Sequence, residues 1–325
     1  MGSFFIRRIL FSMLVLGVLQ SSTVFNVDCW AQIGLNRRAT TPLADLSGMV
    51  WVGGNRFIAV HDAKVEDEFF KPRVAALRLP RDSRGLTYKD SRVSYRRATP
   101  NDLESVAAIP GTNQVLLVES GDSKHDPSVQ RIFKADVKQN GVRVRSVTQW
   151  PFPITNVEGT AVARLGETHV FLYAERADNL PSTELSWVVF DPKKMEFAST
   201  AQSVTFESPD PARFNRVIVG LDVDSDGLIY SVSAFDAEAA GLPDPDNGPF
   251  AAGVYLIGQL KRVDGKPQVE LHDPPICLAM LDGFKVETVA VRQDTAKDIY
   301  QLYIGTDDEN YGGTLRPLPP PVIDP

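Results

Sequence analysis

Five times along the chain a short apolar strand, a polar turn and a second apolar strand recur, and an array of such hairpins restricts the fold more than any other feature. The clearest copy is Asn101 to Asp122, NDLESVAAIPGTNQVLLVESGD, in which Val106 to Ile109 and Gln114 to Val118 flank the turn Pro110-Gly111-Thr112-Asn113. The others begin at Asp45 (DLSGMVWVGGNRFIAVHD), Asn156 (NVEGTAVARLGETHVFLYAERAD), Val217 (VIVGLDVDSDGLIYSVSAFD) and Lys285 (KVETVAVRQDTAKDIYQLYIGTDDE). Ser47, Glu104, Glu158, Val219 and Glu287 are equivalent, at intervals of 57, 54, 61 and 68 residues.

After each hairpin come further strand patterns, such as Val129 to Lys134 and Gly141 to Trp150. Four antiparallel strands per unit make a propeller blade, and a repeat array of this period reads as a ring of them. The inner strands are continuously apolar, as expected where neighbouring blades cover both faces. The fold expected is all-β: a β-propeller of four-stranded antiparallel blades, five in number. A sixth, degenerate blade between Phe235 and Leu281, the longest interval, is the alternative. The fifth copy stops at a run of prolines, Pro317 and Pro319 to Pro321, which cannot continue a central strand. The mature N-terminus, Ile33 to Thr40, is expected to supply the missing outer strand and close the ring, leaving no long open edge.

The first residues read as an export signal. Arg7 and Arg8 precede an apolar run, Ile9 to Leu19, too short to span a bilayer. Cleavage after Ala31 would leave a propeller over residues 32–318 and a Pro-rich tail at 319–325, exported to the periplasm or secreted. It would also remove Cys29 and make the mature chain one unit more negative than the formal −7 of the whole. Cys277 would then stand alone, and its apolar setting, PPICLAML, reads as buried. The negative balance, with pI near 5.2, argues against nucleic acid or an anionic membrane as partner. A monomer that takes a small-molecule ligand or ester substrate is expected, without membrane attachment after cleavage.

In a propeller the start of each inner strand and the end of the second lie at one mouth of the channel. That geometry brings Glu104 near Glu119, Glu158 near Glu175, and Glu287 near Asp307 and Asp308. Blade one adds Ser47 with His61 and Asp62, and blade four adds Asp222 and Asp236. Carboxylates crowded around one channel repel each other unless a cation sits among them. A hard ion taking oxygen ligands, Ca²⁺ first, is the natural occupant, with Glu104, Glu158, Glu287, Glu119, Glu175 and Asp307 as candidate ligands. His61, next to Asp62, is the candidate acid–base pair. His125 with Lys124 lies in a loop over the same mouth, and His169 alternates within a strand and reads as structural. Asp222-Val-Asp-Ser-Asp-Gly227 has the opening of an EF-hand loop. It falls on a hairpin turn, however, and Ser233 stands where the closing Glu is required. No nucleophile elbow, phosphate-binding glycine loop, CxxC or HExxH is present.

The phrases LSGMVWVGGNRFIAVHDAK, LESVAAIPGTNQVLLVES, VEGTAV, VETVAV and YIGTDDENYGGTLR make the chain similar to bacterial exported propellers described as having esterase-like activity of phytase. The resemblance covers about Leu43 to Arg316 and implies a metal-dependent phosphoesterase or carboxylesterase, with Glu104, Glu158 and Glu287 at the matching positions. Copy four departs with Val219 and copy one with Ser47. Phytase propellers also surround phosphate with several Lys and Arg residues, and no such cluster is visible in the sequence. A non-catalytic binding or scaffold propeller with a structural cation is the alternative, and a lactonase-like hydrolase a further one.

Overall fold

The computed structural model describes residues 43–62, 73–80, 86–90, 93, 99–121 and 127–318. The export signal, Cys29, the expected closing strand Ile33 to Thr40, Lys124, His125 and the tail at 319–325 lie outside them.

Each copy of the repeat begins one antiparallel sheet. Blade one is β1 (Gly48–Trp51), β2 (Arg56–His61), β3 (Arg73–Arg78) and β4 (Thr87–Asp90), hydrogen-bonded in that order. Blade two is β5 (Leu103–Ala108), β6 (Gln114–Glu119), β7 (Arg131–Lys138) and β8 (Gly141–Gln149). Blade three contains β9 (Val157–Leu165), β10 (Thr168–Glu175) and β11 (Ser182–Asp191), with β12 (Glu196–Phe197) and β13 (Gln202–Glu207) both pairing β11. Blade four is β14 (Arg216–Val223), β15 (Leu228–Phe235), β16 (Ala251–Val263) and β17 (Lys266–Asp282). Blade five is β18 (Val286–Asp294), β19 (Ile299–Thr306) and β20 (Leu315–Pro317).

Burial of alternate faces between sheets explains why the ring closes. The described residues form five apolar clusters, one at each interface between adjacent blades. The fifth packs Ala290 and Tyr303 of blade five against Phe57, Ala59 and Leu77 of blade one. The inner strands β1, β5, β9, β14 and β18 contact one another in sequence, and β18 contacts β1. The protein is a five-bladed β-propeller. The interval from Phe235 to Leu281 holds no sixth blade; the long hairpin of β16 and β17 fills it as the outer half of blade four. Where the chain enters blade one it runs along blade five: Gly313 N–H donates to Leu43 O (2.8 Å) and Leu46 N–H to Thr306 O (3.0 Å).

The inner ring is tight enough to need small residues. A Cβ on Gly48 would lie 2.7 Å from the Glu104 carbonyl oxygen, and one on Gly220 would lie 2.5 Å from that of Glu287. These glycines, with Ser105, Gly159 and Thr288, let neighbouring inner strands approach backbone to backbone. Cys277 departs from expectation. It is exposed, because β17 is an outermost strand with only β16 beside it.

Candidate metal centre at the channel mouth

Each acidic inner strand begins with the same irregularity. Pairing shifts between Leu103 and Ser105, at Glu158, and between Val286 and Thr288. Glu104, Glu158 and Glu287 are therefore the extra residues of β-bulges, which re-aim a side chain away from the pleat. The three carboxyls face one another across the channel closely enough that Glu158 and Glu287 raise the proton affinity of Glu104, and Glu287 that of Glu158. Burial pushes Glu104 well above the usual carboxylate range, and the charges of Glu158, Asp102, Asp62 and Glu287 add to it. Burial also raises Glu158, with Arg216 and Arg176 opposing. Glu287 is pushed up to about 7 by burial, opposed by Lys285 and Arg216.

Ligand atoms of Asp62, Asp102 and Glu104 all lie within 4.8 Å of one another. Asp62 follows β2, and its N–H is held by Ser47 Oγ at 2.9 Å. Asp102 precedes β5 with a left-handed backbone (φ 57°), pinned by Ser120, whose Oγ donates to Oδ2 at 2.5 Å. Among the described residues the Glu104 carboxylate has no hydrogen-bond or ion-pair partner. Oxygens bound to one Ca²⁺ at ~2.3–2.6 Å can stand that far apart. Three anionic oxygen donors fit a hard cation, so this triad could bind a metal ion.

Blade four carries a cation where its relatives carry an acid. Its pairing shift, between Arg216 and Gly220, is wider. It turns Arg216 into the channel, 3.4 Å from Glu287 Oε1 and bonded to Asp236. Burial works against that charge, but Glu158, Glu287 and Asp236 hold Arg216 above its ordinary value. Arg176 reaches Glu158 at 3.7 Å, Asp236 at 3.2 Å and Asp178 at 2.5 Å. Lys285 pairs with Glu287 at 3.3 Å, Asp307 at 3.4 Å and Glu309. The mouth is thus divided. Blades three to five supply internal cations for their acids, and among the described residues Glu104 has none.

Several residues expected at the mouth are engaged elsewhere. Glu119 is fully buried and grips Arg131 through both oxygens (2.5 and 2.9 Å) and Asn101 N–H (2.8 Å). Glu175 accepts from Thr155 N–H and Oγ1 (2.6 and 2.5 Å). As last residues of second strands they point towards their own blade's neighbouring loop rather than into the channel. Asp307 stays close to the mouth, its carboxyl pushed up to about 7 by burial and by Asp62, Glu309 and Asp45 against Lys285. Asp308 instead accepts Lys285 N–H and Thr306 Oγ1.

His61 is buried, with Nδ1 donating to the Asp45 carbonyl and Nε2 accepting from Tyr88 OH at 3.2 Å. Both ring nitrogens are committed to holding the strand, unlike the acid–base role expected for it. Its neighbour Asp62 enters the triad. His169 Nε2 meets Pro110 O of the next blade at 3.0 Å, a structural contact. Asp222 lies at the opposite end of the channel, accepting from Val223 and Val291 N–H. Asp224 Oδ1 caps the hairpin by accepting Asp226 and Leu228 N–H (2.8 and 2.9 Å). The DxDxDG stretch is a turn.

Fold and site together define an acidic-mouthed five-bladed propeller. No family model matches the sequence, and a comparison with curated proteins finds no match. Among solved structures, the chain is similar to an exo-1,5-α-L-arabinanase from a bovine ruminal metagenomic library (10% identity, 86% of this chain and 95% of that one, TM-score 0.47). It is similar also to an α-L-arabinofuranosidase from Clostridium thermocellum (12% identity, 81% of each chain, TM-score 0.44). A third likeness is to the WD40 β-propeller domain of Doa1 (11% identity, 83% of this chain and 92% of that one, TM-score 0.34).

Proposed function

We propose that the protein is an exported, metal-dependent hydrolase of phosphate or other esters, akin to the phytase-like propellers its sequence resembles. Asp62, Asp102 and Glu104 would hold a divalent cation, Ca²⁺ first, with backbone and water oxygens completing its shell. The observation that supports this reading is Glu104, a carboxylate enclosed by acids and, among the described residues, served by no cation of its own. When bound, such an ion polarises a phosphoryl or carbonyl oxygen and makes bound water more acidic. Burial raises the proton affinity of Glu158 and Glu287, across the channel, against the opposing charges of Arg216, Arg176 and Lys285, and Glu287, pushed up to about 7, is suited to accept a proton from water. Arg216, Arg176 and Lys285 also supply the basic residues that the sequence alone did not disclose.

A second reading, a binding propeller with a structural cation, is favoured by one observation. No described histidine is placed as a base at the mouth, since His61 is bonded at both nitrogens. Cyclic esters would be hydrolysed by the same site, which keeps a lactonase-like activity within the first reading. Thermal unfolding in chelator, then with added Ca²⁺, followed by an ester and phosphoester screen, separates these readings. A ligand that binds only the native state raises the midpoint with concentration. A rise abolished in Glu104→Ala, with turnover that vanishes in chelator, supports the hydrolase. A rise without turnover leaves the binding propeller, and no rise at all removes the ion from both.

A further inference from the structure

Blades one and five leave a cavity between them that the metal centre does not use. β20 is three residues long, whereas the third strands of the other blades run to between six and thirteen. So short a strand covers only part of the face that blade one turns towards it, and a cavity of about 570 Å³ remains. Leu79 and Leu86 line it from blade one, Tyr303 and Leu315 from blade five, and each blade adds a proline, Pro80 and Pro317. Small-molecule sites measure roughly 300–1,000 Å³ and combine such apolar walls with a few polar groups that fix the ligand's orientation.

The polar group that this wall supplies is a cation without a counter-ion. Arg292 of β18 lines the cavity and is half-buried. Its Nε donates to Gly54 O at 2.9 Å, and Nη1 reaches Tyr303 OH at 3.5 Å. Among the described residues no carboxylate pairs with it, and Nη2 has no acceptor. Lys297, the other cation of the wall, is paired with Asp294 at 3.6 Å, and among the described residues no acid lines the cavity. A guanidinium offers parallel N–H groups that match a carboxylate, in hydrogen bonds roughly twice as strong as neutral ones. An unpaired guanidinium set in an apolar wall is therefore complementary to an anion that carries an apolar body.

We infer that the cavity between blades one and five binds a small carboxylate with an apolar body. The carboxylate meets Arg292, and the body lies against Leu79, Leu86, Tyr303 and Leu315. Gly54, which anchors Arg292, belongs to the turn between β1 and β2, and Lys297 to the turn between β18 and β19. Both turns stand at the end of the channel opposite Asp62, Asp102 and Glu104. The site is thus independent of the proposed hydrolysis and of any ion held by that triad.

The test is a titration of the purified protein, in chelator, with 2-naphthoate, followed by ligand-observed NMR. 2-Naphthalenemethanol serves as the uncharged probe of the same shape, and Arg292→Met and Arg292→Lys as variants. Naphthoate is expected to bind and the alcohol to bind about tenfold more weakly, the worth of a hydrogen bond to a charged group. Arg292→Met should weaken naphthoate by the same factor and leave the alcohol unchanged, while Arg292→Lys, which keeps the charge, should weaken it less. Equal binding of the two probes to wild type, or equal naphthoate affinity in wild type and Arg292→Met, overturns the inference. So does a wild-type protein that binds no naphthoate, the result expected if other residues of the chain already fill the cavity. The comparison of the two probes needs no variant, and the readout needs no turnover, so a protein that hydrolyses no ester still tests it.

Discussion

Arg216 of blade four lies 3.4 Å from Glu287 of blade five, which Lys285 also reaches at 3.3 Å. Arg216 is also bonded to Asp236 and raises the acidity of Glu158. One buried guanidinium therefore serves carboxylates from three blades. Breaking a buried ion pair by deleting one partner costs about 3–5 kcal/mol, because the other charge stays buried. Arg216→Met is expected to lower stability by that order, read as a drop in urea midpoint at unchanged m-value. Restoring neutrality with Glu287→Gln in the same chain should return part of the loss. A double variant no more stable than the single one would show that Glu287 does not depend on Arg216.

Glu104 presents the converse case, a carboxylate with no compensating cation among the described residues. Removing its charge should relieve repulsion from Glu158, Asp102 and Asp62. In chelator, Glu104→Gln is expected to raise the melting temperature by a few degrees, in line with about 1 kcal/mol in a chain of this size. The same variant should lose the Ca²⁺-dependent rise expected of the wild type. Differential scanning calorimetry with and without Ca²⁺ measures both. A less stable Glu104→Gln protein in chelator would mean that the carboxylate has a partner outside the described residues.

Three buried carboxyls, Glu287, Glu119 and Asp222, are each pushed up to about 7 by burial. Their ordinary values are near 4.5, 4.5 and 3.8. Between those limits the folded protein holds more protons than the unfolded chain, so stability falls as pH rises. The metal-free protein should thus lose stability steadily from about pH 4 to pH 7 and change little above. Asp236 and Asp191, whose proton affinity is lowered in the fold, act in the opposite sense only at the acid edge of that window. Urea midpoints at a series of pH values in chelator test it. A midpoint that climbs from pH 5 to pH 7 would contradict the assignment of these three groups.

Blade number and the mouth were legible because both depend on local pattern. The hairpins are apolar on both faces, and Ser47, Glu104, Glu158, Val219 and Glu287 do stand side by side on the inner ring, as the contacts of Gly48 and Gly220 show. Asp102 was missed, although the sequence carries a signal for it. Two residues before each ring position stand Asp45, Asp102, Asn156 and Lys285 in four copies, and copies one and two share the dipeptide Asp-Leu. Arg216 was less visible, since the wider irregularity of blade four displaces it by one residue from that alignment. Glu119 and Glu175 illustrate a different limit. Spacing places a residue at the mouth end of a strand, but whether its side chain enters the channel depends on partners such as Arg131 and Thr155 that come from other segments. Cys277 was read from its apolar neighbours, and only sheet order reveals that its strand is the outermost.

The DxDxDG stretch offers a clean separation between a metal loop and a turn. Asp224 Oδ1 accepts two backbone N–H groups, and Oδ2 accepts Tyr300 OH at 2.9 Å. Gly227 adopts φ 82°, and a Cβ there would lie 2.2 Å from the Leu260 carbonyl oxygen. The turn is thus closed by its own hydrogen bonds and by β16, at the end of the channel opposite the acid triad. Asp224→Ala leaves two backbone donors and one hydroxyl without their acceptor, a cost of about 1–3 kcal/mol. It is expected to lower the melting temperature while leaving intact the Ca²⁺-induced rise expected of the wild type, because the ion is proposed to sit at Glu104 and not at this turn. A variant that loses the Ca²⁺ response while Glu104→Gln keeps it would move the ion from the mouth to this turn.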